Sequence, residues 1–183
     1  MKFIKVPPTY TPETTESIKE DLWKLVSTVG FRKEFSRDIY YEAPAGVNYR
    51  YSNIDHVGHG FSPIMKDLKA WVEWRLSTIG IHEDFNHILC NSYFMIERLA
   101  AHKDDEPELE GGIASFSLGC SAIFSYGKTR ACELMDIELK DKDLLYGDKE
   151  FFETYYHKVG TPYPDGKHES THRLNFTLRT VKY

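Results

Sequence analysis

A histidine and three carboxylates stand directly before a strand-like segment in the middle of this chain. They lie at positions 102–106, where one residue separates His102 from Asp104, and Asp105 and Glu106 follow. Because side chains alternate between the two faces of a strand, His102 and Asp104 would point to the same side. Crowded carboxylates repel each other, so a bound metal ion is one explanation for the cluster. A solvated acidic loop is the alternative.

A third metal ligand is available downstream at His157, in the segment 151–159, for which the pattern predicts a strand. Two histidines and one carboxylate on one side of a metal leave open positions for other ligands, and this arrangement is typical of non-haem Fe(II) oxygenases. His168 and His172 have the i, i+4 spacing that could bind a metal on a helix. Their surroundings resemble a junction between a loop and a strand, which favours solvated side chains.

The last strand-like segment, residues 173–179, carries basic groups on one side. Its polar residues are Arg173, Asn175, Thr177 and Arg179, and the apolar residues between them are Leu174, Phe176 and Leu178. One face is therefore predicted to join the core, and the other presents two guanidinium groups. Arginine holds carboxylates through paired hydrogen bonds, so an inward-facing pair predicts a dicarboxylate ligand. Solvated arginines on a surface strand are the alternative.

Two amphipathic helices are predicted before the strands. The first extends from Pro12 to Gly30 after a threonine N-cap, and the second from Pro63 to Gly80 after a serine N-cap. Beyond Gly80 the pattern changes to about seven or eight short strands separated by turns. With helices first and a double sheet second, the sequence predicts an α+β fold whose strands form a sandwich or jelly roll.

Residues 31–53, between the two helices, interleave basic and aromatic side chains around the turn sequence Ala-Pro-Ala-Gly. This pattern predicts a hairpin. Cationic groups bind phosphates and flat rings stack on bases, so the hairpin fits single-stranded nucleic acid, with Tyr49 or Tyr51 in contact with the nucleotide. A tyrosine-rich hairpin whose rings pack on the helices is the alternative.

Composition limits the function only broadly. Hydrophobic residues make up 41% and charged residues 28% of the 183 residues, as in ordinary globular proteins, and the formal net charge of -5 does not point to nucleic acid. The three cysteines lack the spacing of a zinc site or of a disulfide framework. Neither a membrane-spanning stretch nor a signal-peptide pattern is present. We expect a single domain, residues 1–183, in the cytoplasm, or in the nucleus of a eukaryote.

Several short motifs follow one another in a fixed order. They are YRYS at 49–52, NSY at 91–93, HKDDEPEL at 102–109, ASFSLG at 114–119, GD at 147–148, His157, and RLNFTLR at 173–179. In this combination and order, the chain from about residue 49 to 181 resembles the AlkB family of 2-oxoglutarate- and Fe(II)-dependent dioxygenases. One departure is the segment between Asp148 and His157, whose eight residues are fewer than in repair-type members.

The resemblance implies a double-stranded β-helix, or jelly roll, at about residues 85–181. Two N-terminal helices would pack on one of its sheets. A nucleotide-recognition hairpin at about residues 31–60 would form a lid over the iron site.

The resemblance also implies roles for individual side chains. The Fe(II) ligands would be His102, Asp104 and His157. The 2-oxoglutarate ligands would be Arg173 and Tyr93 at the distal carboxylate, with Asn175 nearby, and Asn91 and Arg179 at the carboxylate that also chelates iron. The contacts to the nucleotide would be Asp105, Glu106, Tyr49 and Tyr51.

The implied activity is oxidative demethylation of N-alkylated bases in DNA or RNA, of the repair type, with release of formaldehyde, succinate and CO2. O2 is a further substrate, and the base would be flipped out of its strand or taken from single-stranded nucleic acid. Methylated, single-stranded DNA or RNA is therefore the expected partner of a monomeric enzyme. Hydroxylation of another methyl group, on a modified pyrimidine or a protein side chain, is the alternative, followed by a nucleic-acid-binding module without catalysis.

Overall fold

The computed structural model describes residues 1–7, 12–34, 37–51, 54–94, 96–164 and 172–182. Within these ranges the helices are α1 (Pro12–Thr28), α2 (Pro63–Ser77) and α3 (Lys149–Thr154). The first strands are β1 (Phe3–Val6), β2 (Arg32–Glu34), β3 (Arg37–Glu42), β4 (Asn48–Tyr51), β5 (Ile54–Val57) and β6 (His87–Phe94). The later strands are β7 (Leu99–His102), β8 (Leu109–Gly119), β9 (Ala122–Gly127), β10 (Met135–Leu139), β11 (Leu144–Gly147), β12 (Tyr156–Val159) and β13 (His172–Val181).

Two antiparallel sheets form the body of the protein. The large sheet has seven strands in the order β1-β11-β8-β13-β6-β3-β2, and the small sheet has four in the order β10-β9-β12-β7. Strands β4 and β5 form a separate two-stranded sheet. The arrangement agrees with the predicted α+β class and is consistent with a jelly-roll core.

The outer face of the large sheet is apolar and packs against the two long helices. Leu174, Phe176 and Leu178 of β13 are fully buried on this face and belong to one apolar cluster. Leu22 of α1 and Leu68 of α2 belong to the same cluster. Burying a side chain of this size contributes roughly 1.5–3 kcal/mol. The helices therefore help to fix the central strands that carry the site on their other face.

The inner faces of the two sheets meet in a second apolar cluster. Ile113 on β8 and Leu145 on β11 come from the large sheet, and Phe124 on β9 and Val159 on β12 come from the small sheet. The polar residues that alternate with the apolar ones along β13 also face this interior. The space between the sheets is thus partly apolar and partly polar, and the polar part holds the candidate site.

Residues 149–154 form the short helix α3, so the strand predicted at 151–159 is wrong in its first part. Asp148 caps the helix, because its carboxylate accepts a hydrogen bond from the Phe151 N–H at 2.9 Å. Phe151 and Phe152 turn into the second apolar cluster. The high strand propensity of Phe151 and Phe152 favoured a strand, but the Asp148 cap and the burial of the two rings stabilise a helix. His157 lies on a strand as predicted, β12.

The single hairpin predicted across residues 31–53 is wrong. Strand β3 pairs with β2 and β6 and belongs to the large sheet, while β4 pairs with β5. Between β3 and β4 the Val47 N–H donates to the Pro44 carbonyl at 3.0 Å, and Gly46 has a φ of 83°. This turn connects two sheets instead of closing one hairpin. Arg37 and Ile39 of β3 are buried, so one face of this strand belongs to the interior.

The helix starts follow the predicted caps where the structure describes them. The Ser62 hydroxyl accepts a hydrogen bond from the Met65 N–H at 3.4 Å, and α2 begins at Pro63. Thr11, the predicted cap of α1, lies outside the described residues. The sequence pattern does not predict β1 and β11, which pair at one edge of the large sheet. No helix in the described ranges is long and apolar enough to cross a membrane.

Candidate metal and cosubstrate site

Three potential metal ligands converge between the two sheets. His102 is the last residue of β7, Asp104 follows that strand, and His157 lies opposite His102 on β12. The Asp104 carboxylate is 3.4 Å from Nε2 of His102 and 3.8 Å from Nε2 of His157. One ligand atom from each of the three residues lies within 4.8 Å of the other two. This spacing allows a single cation to contact all three side chains.

The orientation of the His102 ring suits a metal ligand. Its Nδ1 lies 2.9 Å from the carbonyl oxygen of Ala100. Because a carbonyl oxygen only accepts hydrogen bonds, Nδ1 carries a proton, and Nε2, the ring nitrogen nearest Asp104, is the atom that could bind a metal. Metal-binding histidines are commonly held by a backbone carbonyl in this way.

Charges around Asp104 keep its carboxylate ionised. Burial alone would raise the pKa of Asp104, but Arg179, whose Nη2 lies 3.5 Å away, and the two histidines hold this pKa well below its usual value. Burial lowers the pKa of His157 to about 4 although Asp104 opposes it, so this ring is neutral near pH 7. Burial acts in the same direction on His102, but its contact with Asp104 raises the His102 pKa. A carboxylate and a neutral imidazole are forms that bind metals.

Arg173 is buried on the inner face of the large sheet, with 1% of its surface exposed. Its Nη2 donates to the Ser117 hydroxyl at 2.8 Å, and its guanidinium lies 5.5 Å from the centre of the Tyr93 ring. Its Nε and Nη1 are buried and have no hydrogen-bond partner within the described part of the chain. Unpaired donors of a buried cation are costly. They fit a carboxylate, which accepts two parallel hydrogen bonds from a guanidinium.

A belt of hydrogen bonds crosses the inner face of the large sheet. Asn91 on β6 donates to the Thr177 hydroxyl on β13 at 3.4 Å, and this hydroxyl donates to Oδ1 of Asn175 at 3.1 Å. The Asn175 amide donates in turn to the Ser115 hydroxyl on β8 at 2.7 Å. The belt fixes the two asparagine amides relative to Arg173 and the metal ligands.

Arg37 continues this belt onto β3, although the sequence analysis assigned it to the lid. Its side chain is 5% exposed, and its Nε donates to Oδ1 of Asn91 at 2.5 Å. The burial of Arg37 could have been predicted from its spacing from Ile39, because residues two apart on a strand share a face. That spacing is informative only once β3 is known to belong to the large sheet.

One cavity between the sheets is lined by every residue to which the resemblance gives a role with iron or 2-oxoglutarate. They are Asn91, Tyr93, His102, Asp104, His157, Arg173, Asn175 and Arg179. Arg37 lines the same cavity. The residues present therefore fit a metal ion together with a dicarboxylate, while their individual roles stay predictions.

The residues predicted to contact a nucleotide are placed differently. Tyr49 on β4 is 1% exposed and belongs to a third apolar cluster with Ile39 of β3. The side chain of Tyr51 lies outside what the structure describes. Asp105 is exposed, and Glu106 is half-buried, with its pKa raised by burial and by the nearby Asp104 charge. Contact with a nucleotide at these four positions stays a prediction.

Two further histidines, His56 and His87, are buried beneath the β4–β5 pair. His56 lies opposite Tyr49, and its ring centre is 4.3 Å from that of Tyr41. The His87 ring centre is 4.8 Å from that of Tyr49. Burial lowers the pKa of both imidazoles, to about 4 for His56. The local sequence does not indicate that these histidines are interior, because their burial depends on the packing of the β4–β5 pair against the large sheet.

Comparisons with known proteins agree with this site. The family model described as the 2OG-Fe(II) oxygenase superfamily matches residues 15–179. The RNA replication protein of Grapevine virus A (isolate Is 151) is 24% identical over 182 residues, a match that covers 94% of this chain and 10% of that protein. The chain thus spans about a tenth of the length of this relative.

A solved structure titled "The structure of OsALKBH1" superposes with a TM-score of 0.68 at 18% identity, covering 97% of this chain and 96% of that one. At this identity the likeness shows a shared fold, that of an AlkB homologue. The cofactors that the family match implies are Fe(II), 2-oxoglutarate and O2, and the His-Asp-His group provides candidate iron ligands. Since the family match covers most of its length, the chain belongs to the 2OG-Fe(II) oxygenase superfamily.

Proposed function

We propose that this dioxygenase oxidatively demethylates N-methylated bases in single-stranded nucleic acid, with RNA as the preferred substrate. The main support for the proposed reaction is that His102, Asp104 and His157 converge in one cavity with the unpaired donors of Arg173. Bound Fe(II), with 2-oxoglutarate and O2, would supply the oxidising power to hydroxylate an N-methyl group. The hydroxymethyl product then loses formaldehyde and leaves the unmodified base.

The protein's own residues would bind and orient the reactants. The two histidines and Asp104 would hold the metal, and a set of three protein ligands leaves coordination positions for other ligands. Arg173, with Tyr93, binds the distal carboxylate of 2-oxoglutarate through a two-point contact. Asn91 and Arg179 bind the carboxylate next to the keto group.

The charge balance of the cavity supports a dianionic cosubstrate. Arg37, Arg173 and Arg179 are each at most 5% exposed and line the cavity, and Asp104 is a buried carboxylate in the same lining. Burying cations without matching anions is unfavourable. A carboxylate of 2-oxoglutarate would pair with the buried donors of Arg173 that have no partner among the described residues.

Cationic side chains outside the cavity support a nucleic-acid substrate. The Lys103 ammonium and the Arg130 guanidinium lie 5.1 Å and 5.3 Å from the centre of the same Tyr156 ring. Lys103 is the residue between the predicted ligands His102 and Asp104, and Tyr156 precedes the third ligand. Cations grouped around an aromatic ring can bind a phosphate backbone next to the site where a base would enter.

The hairpin β4–β5 is the proposed lid. Tyr49 and His56 face inwards, while Asn48, Arg50 and Asp55 are exposed on the other side. Since Tyr49 is fully buried, its contact with a nucleotide would require the hairpin to move off the large sheet. Asp105 and Glu106 are proposed to face the positive charge that N-methylation gives to adenine or cytosine.

The preference for RNA rests on the relative from Grapevine virus A, which is an RNA replication protein. The experiment compares matched RNA and DNA oligonucleotides, each carrying one methylated adenine or cytosine. Mass spectrometry follows loss of the methyl group, and formaldehyde is measured in parallel, with Asp104→Ala as the inactive control. Demethylation of RNA in preference to DNA supports the proposal.

Other outcomes would favour the alternatives. A stable hydroxylated product without formaldehyde would indicate a hydroxylase of another methyl group. Oligonucleotide binding without any succinate formation would indicate a binding module. Succinate formation without oligonucleotide binding at low salt would redirect the search to a protein or small-molecule substrate.

A further inference from the structure

Arg37 is a buried cation that the family resemblance leaves without a role. It is the first residue of β3, a strand paired with β6, so that Ile39 lies opposite Asn91. The neighbouring strand β2 carries the exposed cations Arg32 and Lys33, whereas Arg37 is 5% exposed and lines the cavity with the metal ligands. A guanidinium withdrawn from water in this way needs fixed acceptors or an anion.

The contact of Arg37 with Asn91 restricts the orientation of an amide. A carboxamide has one acceptor oxygen and one donor nitrogen, and the two are easily exchanged by rotation of the group. The Arg37 Nε donates to Oδ1 of Asn91 at 2.5 Å, and a guanidinium cannot accept a hydrogen bond in return. Nδ2 of Asn91 is therefore turned towards Thr177, 3.4 Å away, on the strand that carries Arg173 and Arg179.

We infer that Arg37 is a positioning residue for the dicarboxylate cosubstrate, acting through Asn91. It holds the Asn91 amide with its donor nitrogen towards the carboxylate, and it adds a third guanidinium to the wall that faces this anion. The inference rests on the proposed function, in which Asn91 binds 2-oxoglutarate.

The burial of Arg37 favours a role in cosubstrate positioning over a role in nucleic-acid binding. A side chain that binds phosphates must be reachable from solvent, as Arg32 and Lys33 are. Arg37 instead stands at one end of a hydrogen-bonded belt that runs through Asn91, Thr177 and Asn175. Its loss should therefore weaken cosubstrate binding and leave oligonucleotide binding nearly unchanged.

The test measures 2-oxoglutarate binding to the Fe(II)-loaded protein under anaerobic conditions, where no turnover occurs. We expect Arg37→Gln to weaken binding about tenfold, the usual effect of losing one hydrogen bond to a charged group. Arg37→Lys keeps the charge but loses the directed Nε contact, so it should recover only part of the affinity. Arg32→Gln is the matched control on the exposed strand and should bind like the wild type.

A double-mutant cycle tests whether Arg37 acts through Asn91. If it does, adding Arg37→Gln to Asn91→Ala should cost much less than Arg37→Gln costs alone. In steady-state assays the KM for 2-oxoglutarate should rise in Arg37→Gln, with the KM for the oligonucleotide within about twofold of the wild type. Circular dichroism and a thermal melt establish whether each variant is folded. If Arg37→Gln does not fold, the same measurements are made on Arg37→Lys.

Three results would overturn the inference. Unchanged cosubstrate affinity in both Arg37 variants would remove the role, and a raised oligonucleotide KM alone would assign Arg37 to the substrate. Fully additive losses in the cycle would show that Arg37 does not act through Asn91. Failure of the wild type itself to bind 2-oxoglutarate would instead contradict the proposed function, and so the two failures are distinguishable.

Discussion

Two pairs of histidines lie close together in the structure, and their surroundings differ in one decisive respect. The rings of His102 and His157 have centres 4.3 Å apart, and Asp104 lies within 4 Å of both. The rings of His56 and His87 have centres 6.4 Å apart and are surrounded by tyrosines. In the first pair a buried carboxylate completes a set of three candidate ligands, whereas the second pair has aromatic neighbours.

The difference indicates which surroundings would suit a buried imidazole to metal binding. Burial lowers the pKa of His157, His56 and His87 alike, so a neutral ring is common to both regions. The distinguishing features are a carboxylate held ionised by Arg179 and nitrogen atoms that converge on it. Without them, buried histidines join an aromatic cluster that holds the β4–β5 hairpin on the large sheet.

The largest expected effect distinguishes the two pairs directly. His157→Ala should lower the affinity for Fe(II), or for Mn(II) as a probe, by more than the roughly 100-fold that loss of a supporting group costs. His87→Ala removes the same side chain from a similarly buried position and should change metal affinity little. Anaerobic calorimetric titration gives both values.

Equal losses of metal affinity in His157→Ala and His87→Ala would mean that the measured affinity reflects only how well each variant folds. Retained affinity in His157→Ala would move the third ligand elsewhere, with His172 as the next candidate. The Asp104→Ala variant should behave like His157→Ala, with loss of turnover and retention of the folded state.

The next largest effect concerns the guanidinium of Arg173, in the same cavity as His102 and His157. Arg173→Lys keeps the charge but loses the paired donors, so the KM for 2-oxoglutarate should rise by about tenfold to a hundredfold. Ser117→Ala, which removes only the hydroxyl that Arg173 contacts at 2.8 Å, should raise it by no more than about fivefold. Steady-state assays with varied 2-oxoglutarate check both values, and an unchanged KM in Arg173→Ala would contradict the assignment.

A third prediction concerns stability and the second pair. The folded-state pKa of His56 is about 4, below the 6.5 that is usual for histidine, because burial and the nearby Arg32 and Arg179 disfavour the charged ring. The unfolded state therefore binds the proton more readily, and stability should fall as the pH drops from about 6.5 towards 4. Urea unfolding at pH 7 and pH 5 should show a smaller difference for His56→Phe than for the wild type.

The exposed His82 provides the matched control. His82→Phe should leave the difference between the two pH values as it is in the wild type. If His56→Phe unfolds with the same dependence on pH as the wild type, His56 is not held neutral by the fold.

The smallest effect concerns the surface next to the first pair. Lys103→Ala and Arg130→Ala should each weaken oligonucleotide binding a few-fold and reduce the slope of log affinity against log salt by about one. Lys24→Ala, an exposed lysine on α1, is the control. Binding of a labelled single strand across a salt series measures these slopes, and unchanged slopes in both variants would exclude this surface as a phosphate-binding site.

The residues that could be predicted from the sequence are those whose positions follow from local spacing. His102 and Asp104 are two residues apart, and the alternation of polar and apolar residues in β13 places Arg173 and Arg179 on one face. His157 was proposed as the third ligand because it lies in a strand-like segment downstream of that pair, and the resemblance then implied the same role. The structure brings all five to one cavity.

The features that could not be predicted depend on long-range pairing. Arg37 faces the cavity because β3 pairs with β6, and the interior position of His56 depends on the packing of the β4–β5 pair on the large sheet. The local pattern of residues 31–53 is equally compatible with a free hairpin, so the two cases cannot be distinguished from the sequence alone. Helix α3 was missed because the Asp148 cap outweighs the strand propensity of Phe151 and Phe152.

The most direct test of the central claim is an anaerobic absorption spectrum. Fe(II) and 2-oxoglutarate are added to the wild type, to Asp104→Ala and to His87→Ala. We expect a weak visible metal-to-ligand band in the wild type and in His87→Ala, and no such band in Asp104→Ala. A band of equal intensity in all three proteins, or none in the wild type, would contradict the assignment of the iron and 2-oxoglutarate site to the cavity around Asp104.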